Sequence, residues 1–309
     1  MPTSGSLRAG YRAPVAEMRG LDREYLRDHP QQVPLLITHQ RIRSVRVPGG
    51  DLCTAERLTL DDGTHLFAKS LPGAAPGLFD AEARGLAWLA AAEGGPPLPE
   101  VVAATDELLL LDWVEPGEPT PGSAQELGRS LALMHAAGAS GFGAPWPGYL
   151  GTLPLENSTA PDWPTFYAGR RVGPMLRRAV DGGAIAASDA RAVDRVLERL
   201  PAAAGPAEPP ARLHGDLWSG NVHHGADGRA WLVDPAAHGG HRETDLAMLR
   251  LFGAPLLDHV LGAYVEQAAL ADGAEARVPL HQLFPLLVHA VLFGGAYGAR
   301  AGDAARRCP

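Results

Sequence analysis

The sequence predicts an α+β protein of two lobes: a small β-rich N-lobe carrying one key helix, and a larger, mainly helical C-lobe. Three observations carry this expectation. Between residues 41 and 114, short apolar runs alternate with polar residues and are set off by turn residues. Beyond the Pro- and Gly-rich stretch 115–122 the apolar period becomes helical. Within that helical half, the island 213–235 breaks the period and holds only two short apolar runs.

In chain order, residues 1–20 are polar and aperiodic and are expected to be poorly ordered. Residues 1–40 as a whole read as an N-terminal extension, partly disordered or helical. The N-lobe is expected over 41–114 and the C-lobe over 115–309. RIRSVRV (41–47) reads as a strand running into the Gly49-Gly50 turn. CTAERLTL (53–60) then alternates towards Asp61-Asp62-Gly63, a hairpin signal, and THLFAKS (64–70) returns. DAEARGLAWLAAAE (80–93) is helical by propensity and is stopped by Gly94-Gly95-Pro96-Pro97. VVAA (101–104) and ELLLLDWV (107–114) complete the strands. In the C-lobe, Ser123 with Glu126 makes a capping-box pattern, and Leu127, Leu131 and Met134 form an apolar stripe closed by Gly138. Further helices are expected over 167–180, 188–200, 245–252, 256–271 and 280–300.

Composition removes several classes of function. With 35 acidic against 27 basic residues, a formal charge of −8 and a pI near 5.8, the chain lacks the basic surface that nucleic-acid binding rests on. An apolar fraction of 46 % against 20 % charged allows a real core and argues against global disorder. The 37 glycines and 28 prolines form no repeat, which excludes collagen-like and elastic chains. Cys53 and Cys308 are too few for a disulfide framework or a zinc cluster, so a reducing compartment is the simplest home. The N-terminus has no apolar core of a signal peptide. The most apolar stretch, 283–297, is interrupted by Pro285 and His289 and falls short of the ~20 residues that span a bilayer. A cytoplasmic protein with neither nucleic acid nor membrane as partner is expected, with a monomer favoured.

The chemistry concentrates in His214-Gly215-Asp216-Leu217-Trp218-Ser219-Gly220-Asn221, followed by Trp231-Leu232-Val233-Asp234-Pro235. Phosphoryl transfer needs a carboxylate beside the attacking hydroxyl and oxygen ligands that hold Mg²⁺ against nucleotide phosphates. Asn221 stands five residues after Asp216, the spacing of base and metal ligand in the kinase catalytic loop, and Asp234 ends the next apolar strand. Each residue alone would suit an ordinary polar turn; the combination points to transfer chemistry, with Asp216 as base because a carboxylate is ionised at pH 7. Upstream, Lys69 ends a strand and Glu82 lies early on the following helix, where the two can pair and fix the ammonium against phosphates. Gly49 and Gly50 allow close backbone approach to phosphate, as a plain hairpin would also require. In LLDWV (110–114), the Asp112 C=O and the Val114 N–H are candidates for an adenine edge.

These motifs, with DWPTFYAGRR (162–171), LHGDLWSGN (213–221) and VDPAAHGGHRETDLAMLRLFG (233–253), make the chain similar to the fructosamine kinase (ketosamine 3-kinase) family over roughly 41–297. The resemblance implies a protein-kinase-like bilobal fold shared with aminoglycoside phosphotransferases and choline kinases. It implies transfer of phosphate from ATP, with Mg²⁺, to the 3-hydroxyl of fructosamines or ribulosamines on lysine side chains or free amines. The 3-phosphate then promotes loss of the sugar, a deglycation repair. It further implies that Lys69 and Glu82 position the nucleotide, that Asp216 is the catalytic base, and that Asn221 and Asp234 hold Mg²⁺. One departure stands out: some members carry a cysteine directly after the loop's glycine pair, where this chain has Asp51, with Cys53 two positions on. Two other readings stay open, an aminoglycoside- or choline-type alcohol phosphotransferase and a catalytically silent nucleotide-binding module.

On the acceptor side, Trp218 can stack on the apolar face of a ketose and Ser219 can add a hydroxyl. His214 enters as a candidate near substrate, with bracing of the loop preferred. His223-His224, His238 and His241 read as turn and surface histidines, Asp245 as a helix N-cap, and Trp163, Phe166 and Arg170 as packing or rim residues of the acceptor site.

Overall fold

Four consecutive leucines set the geometry of the N-lobe. The structure is a computed structural model that describes residues 20–48 and 52–309; the expected disorder of 1–19 and the Gly49-Gly50 turn lie outside these residues. Helices α1 (Arg23–Asp28) and α2 (Val33–Thr38) precede strands β1 (Arg43–Arg46), β2 (Thr54–Thr59), β3 (His65–Ser70), β4 (Val101–Ala104) and β5 (Leu108–Asp112). The strands form one antiparallel sheet in the order β1-β2-β3-β5-β4. Helix α3 (Leu78–Ala90) is inserted between β3 and β4. Because side chains alternate along a strand, Leu108 and Leu110 of β5 join Leu26, Val33, Leu58 and Leu66 on one face. Leu109 and Leu111 meet Leu78, Phe79 and Leu86 of α3 on the other. Residues 21–42 therefore contribute to the core of the sheet, with Leu26 and Val33 fully buried.

Helix α3 is gripped by the C-lobe as well. A Cβ at Gly85 would lie 3.1 Å from Ala237 Cβ and 3.5 Å from Pro235 Cγ. Arg212 donates to the Trp88 carbonyl at 2.5 Å and lays its guanidinium over the Trp88 ring, which also meets Trp146 edge-on at 5.7 Å. The Tyr149 hydroxyl donates to the Pro76 carbonyl at 3.0 Å.

The C-lobe opens with α4 (Pro121–Ala136), which begins earlier than the Ser123–Glu126 pattern suggests. Thr120 is the cap; its side chain accepts from Ser123 N–H and the Ser123 hydroxyl accepts from Thr120 N–H, with Pro121 in the first turn, where a missing N–H does no harm. The hairpin β6 (Gly148–Leu150)–β7 (Leu153–Leu155) follows, then α5 (Trp163–Phe166), a π-helical turn at Tyr167–Val172, α6 (Gly173–Asp181), α7 (Ala187–Glu198) and α8 (Leu200–Ala203). The 213–235 island is non-helical as expected. β8 (Ala211–Leu213) pairs with β11 (His238–Gly240), and between them β9 (Val222–His224) pairs with β10 (Ala230–Leu232). Helices α9 (Glu243–Phe252), α10 (Leu257–Gln267), α11 (Ala274–His281), α12 (Leu283–Phe293) and α13 (Tyr297–Arg307) close the lobe.

The single helix expected over 280–300 is interrupted: Gly294 and Gly295 adopt φ of 66° and 63°, outside the right-handed helical region. Residues Ala274–Phe293 have the length and mean hydropathy (1.3) of a membrane-crossing segment, but Leu280, Leu283, Leu286 and Leu287 are buried in the C-lobe core. Apolarity here belongs to packing against α6, α13 and the π-turn.

Candidate active site

Strand phase and helix period bring the N-lobe residues to the cleft. On β3, Leu66 and Ala68 point to the α1/α2 face, so Phe67 and Lys69 point to the face covered by α3. On α3, Leu78, Glu82 and Leu86 recur every four residues and share the buried side. Lys69 Nζ thus donates to Glu82 Oε2 at 2.8 Å and, across the cleft, to Asp234 Oδ1 at 2.6 Å. Asp234 has φ of 55°, a left-handed backbone that Asp tolerates better than most residues.

The loop from His214 to Asn221 is braced from beneath. His214 is fully buried; its Nε2–H donates to the Val233 carbonyl at 2.9 Å and its Nδ1 accepts from Asp216 N–H at 3.3 Å. Asp245 accepts from His214 N–H at 2.8 Å and from Gly215 N–H at 3.0 Å. Asp245 in turn accepts from His135 Nε2 at 3.2 Å, and His135 Nδ1 meets the Tyr264 hydroxyl at 2.8 Å. Asp245 therefore sits inside the first turn of α9 rather than capping it, the correction to the N-cap expectation. Gly215 adopts φ of 82°, and a Cβ there would lie 2.2 Å from the Ala236 carbonyl oxygen, so the loop admits no side chain at that point. Asn221 Nδ2 donates to the Asp216 carbonyl at 2.8 Å, to Asp216 Oδ2 at 3.1 Å and to the Asp234 carbonyl at 3.4 Å.

Three carboxylates around one ammonium leave the corner electron-rich. Burial, reinforced by the charge of Asp234, pushes Asp216 up to about 7, against the pull of the Asn221 hydrogen bond. The expectation that Asp216 ionises like an ordinary carboxyl group is thus corrected. Burial also pushes Glu82 up to about 7, with Lys69 acting the other way. Asp234 would be raised by burial, but the Lys69 ammonium holds it below its ordinary value. Burial would weaken the Lys69 ammonium; Glu82 and Asp234 outweigh that and raise it. Asp234, Asp216 and the Asn221 amide offer hard oxygen donors, a set that suits Mg²⁺ and relieves the carboxylate repulsion.

These groups open onto a cleft of about 640 Å³. Asp112 and Val114 line it as expected, although the Asp112 carboxylate is taken by Arg23, whose Nε lies 2.8 Å away. Gly49 and Gly50 lie outside the described residues. Trp218 lines the cleft and is 40 % exposed, its indole lying against Gly220. Ser219 and His214 do not reach the cleft wall: Ser219 begins a short 3₁₀ turn and His214 lies beneath the loop. The sequence reading missed an aromatic wall facing Trp218, made by Phe252, His289, Phe293 and Tyr297, with ring centroids 4.8–6.1 Å apart along the row. Only His289 and Phe293 share a helix, α12, at ordinary helical spacing; Phe252 comes from α9 and Tyr297 from α13, so nothing local marks the wall.

DWPTF does not rim the site. Trp163 and Phe166 are buried in the C-lobe core and Arg170 pairs with Glu156 at 3.1 Å. His238 and His241 are likewise buried rather than superficial. His241, Glu243 and His281 bring ligand-type atoms within 4.8 Å of one another. Arg277 donates to both oxygens of Glu243, however, so a cation already occupies that carboxylate.

The chain matches known proteins over most of its length. The family model for fructosamine kinase matches residues 31–308. A provisional ketoamine kinase of Enterococcus faecium is 35 % identical over 83 % of this chain and 91 % of its own length. The chloroplastic protein-ribulosamine 3-kinase of Arabidopsis thaliana is 30 % identical over 82 % of this chain and 79 % of its own. A crystal structure from Thermobifida fusca, provisionally named a fructosamine-3-kinase, superposes with a TM-score of 0.81 at 51 % identity, covering 86 % of this chain and 93 % of that one. The fold alone extends further, to a choline kinase and an aminoglycoside phosphotransferase at 15 % and 12 % identity, each with a TM-score of 0.58.

Proposed function

The chain belongs to the fructosamine kinase family and is a phosphotransferase acting on a hydroxyl group; from that premise we propose that it transfers the γ-phosphate of ATP to the 3-hydroxyl of ketosamines. The observation that carries the proposal is the convergence of Lys69, Glu82, Asp234, Asp216 and Asn221 on one cleft between the sheet and the helical lobe. The nucleotide falls to the 41–114 lobe and the acceptor to the 115–309 lobe. Lys69, fixed by Glu82, holds the α- and β-phosphates, while backbone groups at Asp112 and Val114 take the adenine edge and Gly49-Gly50 covers the phosphates.

Asn221 and Asp234 would hold Mg²⁺, which when bound offsets the negative charge of the phosphates and of this corner. The acceptor lies over Trp218, its 3-hydroxyl beside Asp216. The hydroxyl oxygen bonds to the γ-phosphorus, the bond to the β-bridging oxygen breaks, ADP departs, and the hydroxyl proton passes to Asp216. Lifted towards neutrality, Asp216 is matched to accept that proton. The aromatic wall suits the amine-bearing end of a ketosamine on a lysine side chain or a free amine. The reducing, ATP-rich cytoplasm is the compartment such a reaction needs.

An ADP-release assay across ribuloselysine, fructoselysine and kanamycin tests the assignment. Turnover of a ketosamine is expected, with kcat falling by ~10³ or more in Asp216→Asn. Turnover of kanamycin alone would favour the aminoglycoside alternative. MgATP binding without product across the panel would favour a silent module.

A further inference from the structure

Asp112 ends β5 with its carboxylate in the grip of the first residue of α1. Arg23 donates from Nε to Asp112 Oδ1 at 2.8 Å and from Nη2 to Oδ2 at 3.1 Å, the two-pronged geometry that a guanidinium gives a carboxylate. The same Nη2 lies 3.0 Å from Glu100 Oε2. Glu100 stands beside Asp112 across the sheet, its carbonyl accepting from Asp112 N–H at 3.0 Å. Arg23 thus offsets two carboxylates that would otherwise repel each other at the end of the strand. Its helix is anchored in turn. Leu26 is fully buried against the sheet, Leu21 N–H donates to Asp61 Oδ2 at 2.9 Å, and Asp61 N–H donates to the Leu21 carbonyl at 3.2 Å. Two residues beyond Asp112, the Val114 carbonyl accepts from His223 Nε2 at 3.1 Å, so residues 112–114 are held from both lobes. Arg23 stands ahead of residues 31–308, the stretch that carries the family match.

We propose that Arg23 is a positioning residue for the nucleotide base: by fixing Asp112 it sets the Asp112 C=O and the Val114 N–H at the spacing of an adenine edge. This role rests on the adenine edge being taken there, as in the proposed function. Adenine offers an N6–H donor beside the N1 acceptor. Guanine offers O6 as acceptor beside N1–H, the reverse order. A carbonyl and an N–H held in fixed order therefore accept adenine and oppose guanine. Once Arg23 is lost, the repelling carboxylates free the peptide groups to turn. Adenine then binds less well and guanine is rejected less strictly.

Calorimetric titration of MgADP and MgGDP into the full chain, unaltered and as Arg23→Gln and Arg23→Lys, tests this. The unaltered chain is expected to prefer ADP. Arg23→Gln is expected to weaken ADP about tenfold, as for one lost hydrogen bond, with GDP little changed. Arg23→Lys keeps the charge but not the fork and should recover part of the preference. Asp112→Asn breaks the same grip from the strand side and should lower the preference likewise; joined to Arg23→Gln it should add little. An ADP-to-GDP preference unchanged in both Arg23→Gln and Asp112→Asn, whether or not overall affinity falls, would overturn the positioning role and leave the adenine reading standing. Equal binding of ADP and GDP by the unaltered chain, or binding of neither, would overturn the adenine reading and this role with it.

Discussion

Asp245 accepts from two consecutive backbone N–H groups of the 214–221 loop while His135 donates to it from α4. Burial alone would raise its pKa, yet the His135 bond, its charge and the loop amides hold Asp245 below the ordinary carboxylate range. It lies outside the cleft lining and braces the loop from beneath, so we expect it to act by positioning. Asp245→Asn keeps the shape but turns one acceptor into a donor facing an amide. We expect a loss of about 1–3 kcal/mol in stability and a kcat reduced more than the KM for ATP. Thermal unfolding alongside steady-state kinetics reads both, and unaltered kcat with unaltered Tm would refute the bracing role. The convergence of the candidate residues was legible beforehand because their signals are local: Asp216 and Asn221 share one loop, while Lys69 lies near the end of one strand and Glu82 early on the next helix. Asp245 was not, because its partners lie 30, 31 and 110 residues away and only folding brings them together.

Helices α4 and α10 approach so closely that a Cβ at Gly128 would lie 2.1 Å from the Val260 carbonyl oxygen and 2.9 Å from Tyr264 N. Both atoms are backbone and cannot rotate aside. Gly128→Ala is expected to lower stability by about 1–3 kcal/mol despite its better helix propensity. Gly262→Ala on α10, where nothing lies within 4 Å of the added carbon, should be neutral or stabilising. Urea midpoints with a constant m-value check the pair, and equal shifts would contradict the close approach. Element boundaries were legible where punctuation is strong, as at the Gly94–Pro97 stop after α3. They were less so at α4, where Pro121 and Gly122 look like linker but form the first helical turn. At Gly294-Gly295 the apolar run on one side hides the loss of period on the other.

Across the whole molecule, buried imidazoles couple stability to acidity. Burial pushes His238 and His241 down to about 3, so the folded chain leaves them neutral where the unfolded chain protonates them near 6.5. Their contribution is complete above pH 6.5 and is lost as pH falls from there towards 3. By pH 5 each imidazole subtracts about 2 kcal/mol. Asp216 and Glu82, raised to about 7, act in the opposite direction over the same window. The imidazole contribution is therefore read as a difference: the Tm of His238→Gln relative to the unaltered chain should rise as pH falls from 7 to 5. A Tm difference between the two that does not change over this window would count against the burial. The two-sided grip on α3 has a mechanical consequence. Its Leu78, Phe79 and Leu86 are fastened to the sheet, while Gly85, Trp88 and the preceding Pro76 are fastened to the helical lobe. A shaft bolted to both plates lets neither swing freely, so substrate traffic falls to small slides and rim loops rather than to a jaw that gapes. Radii of gyration from X-ray scattering should then differ little between the nucleotide-free and MgATP-saturated enzyme.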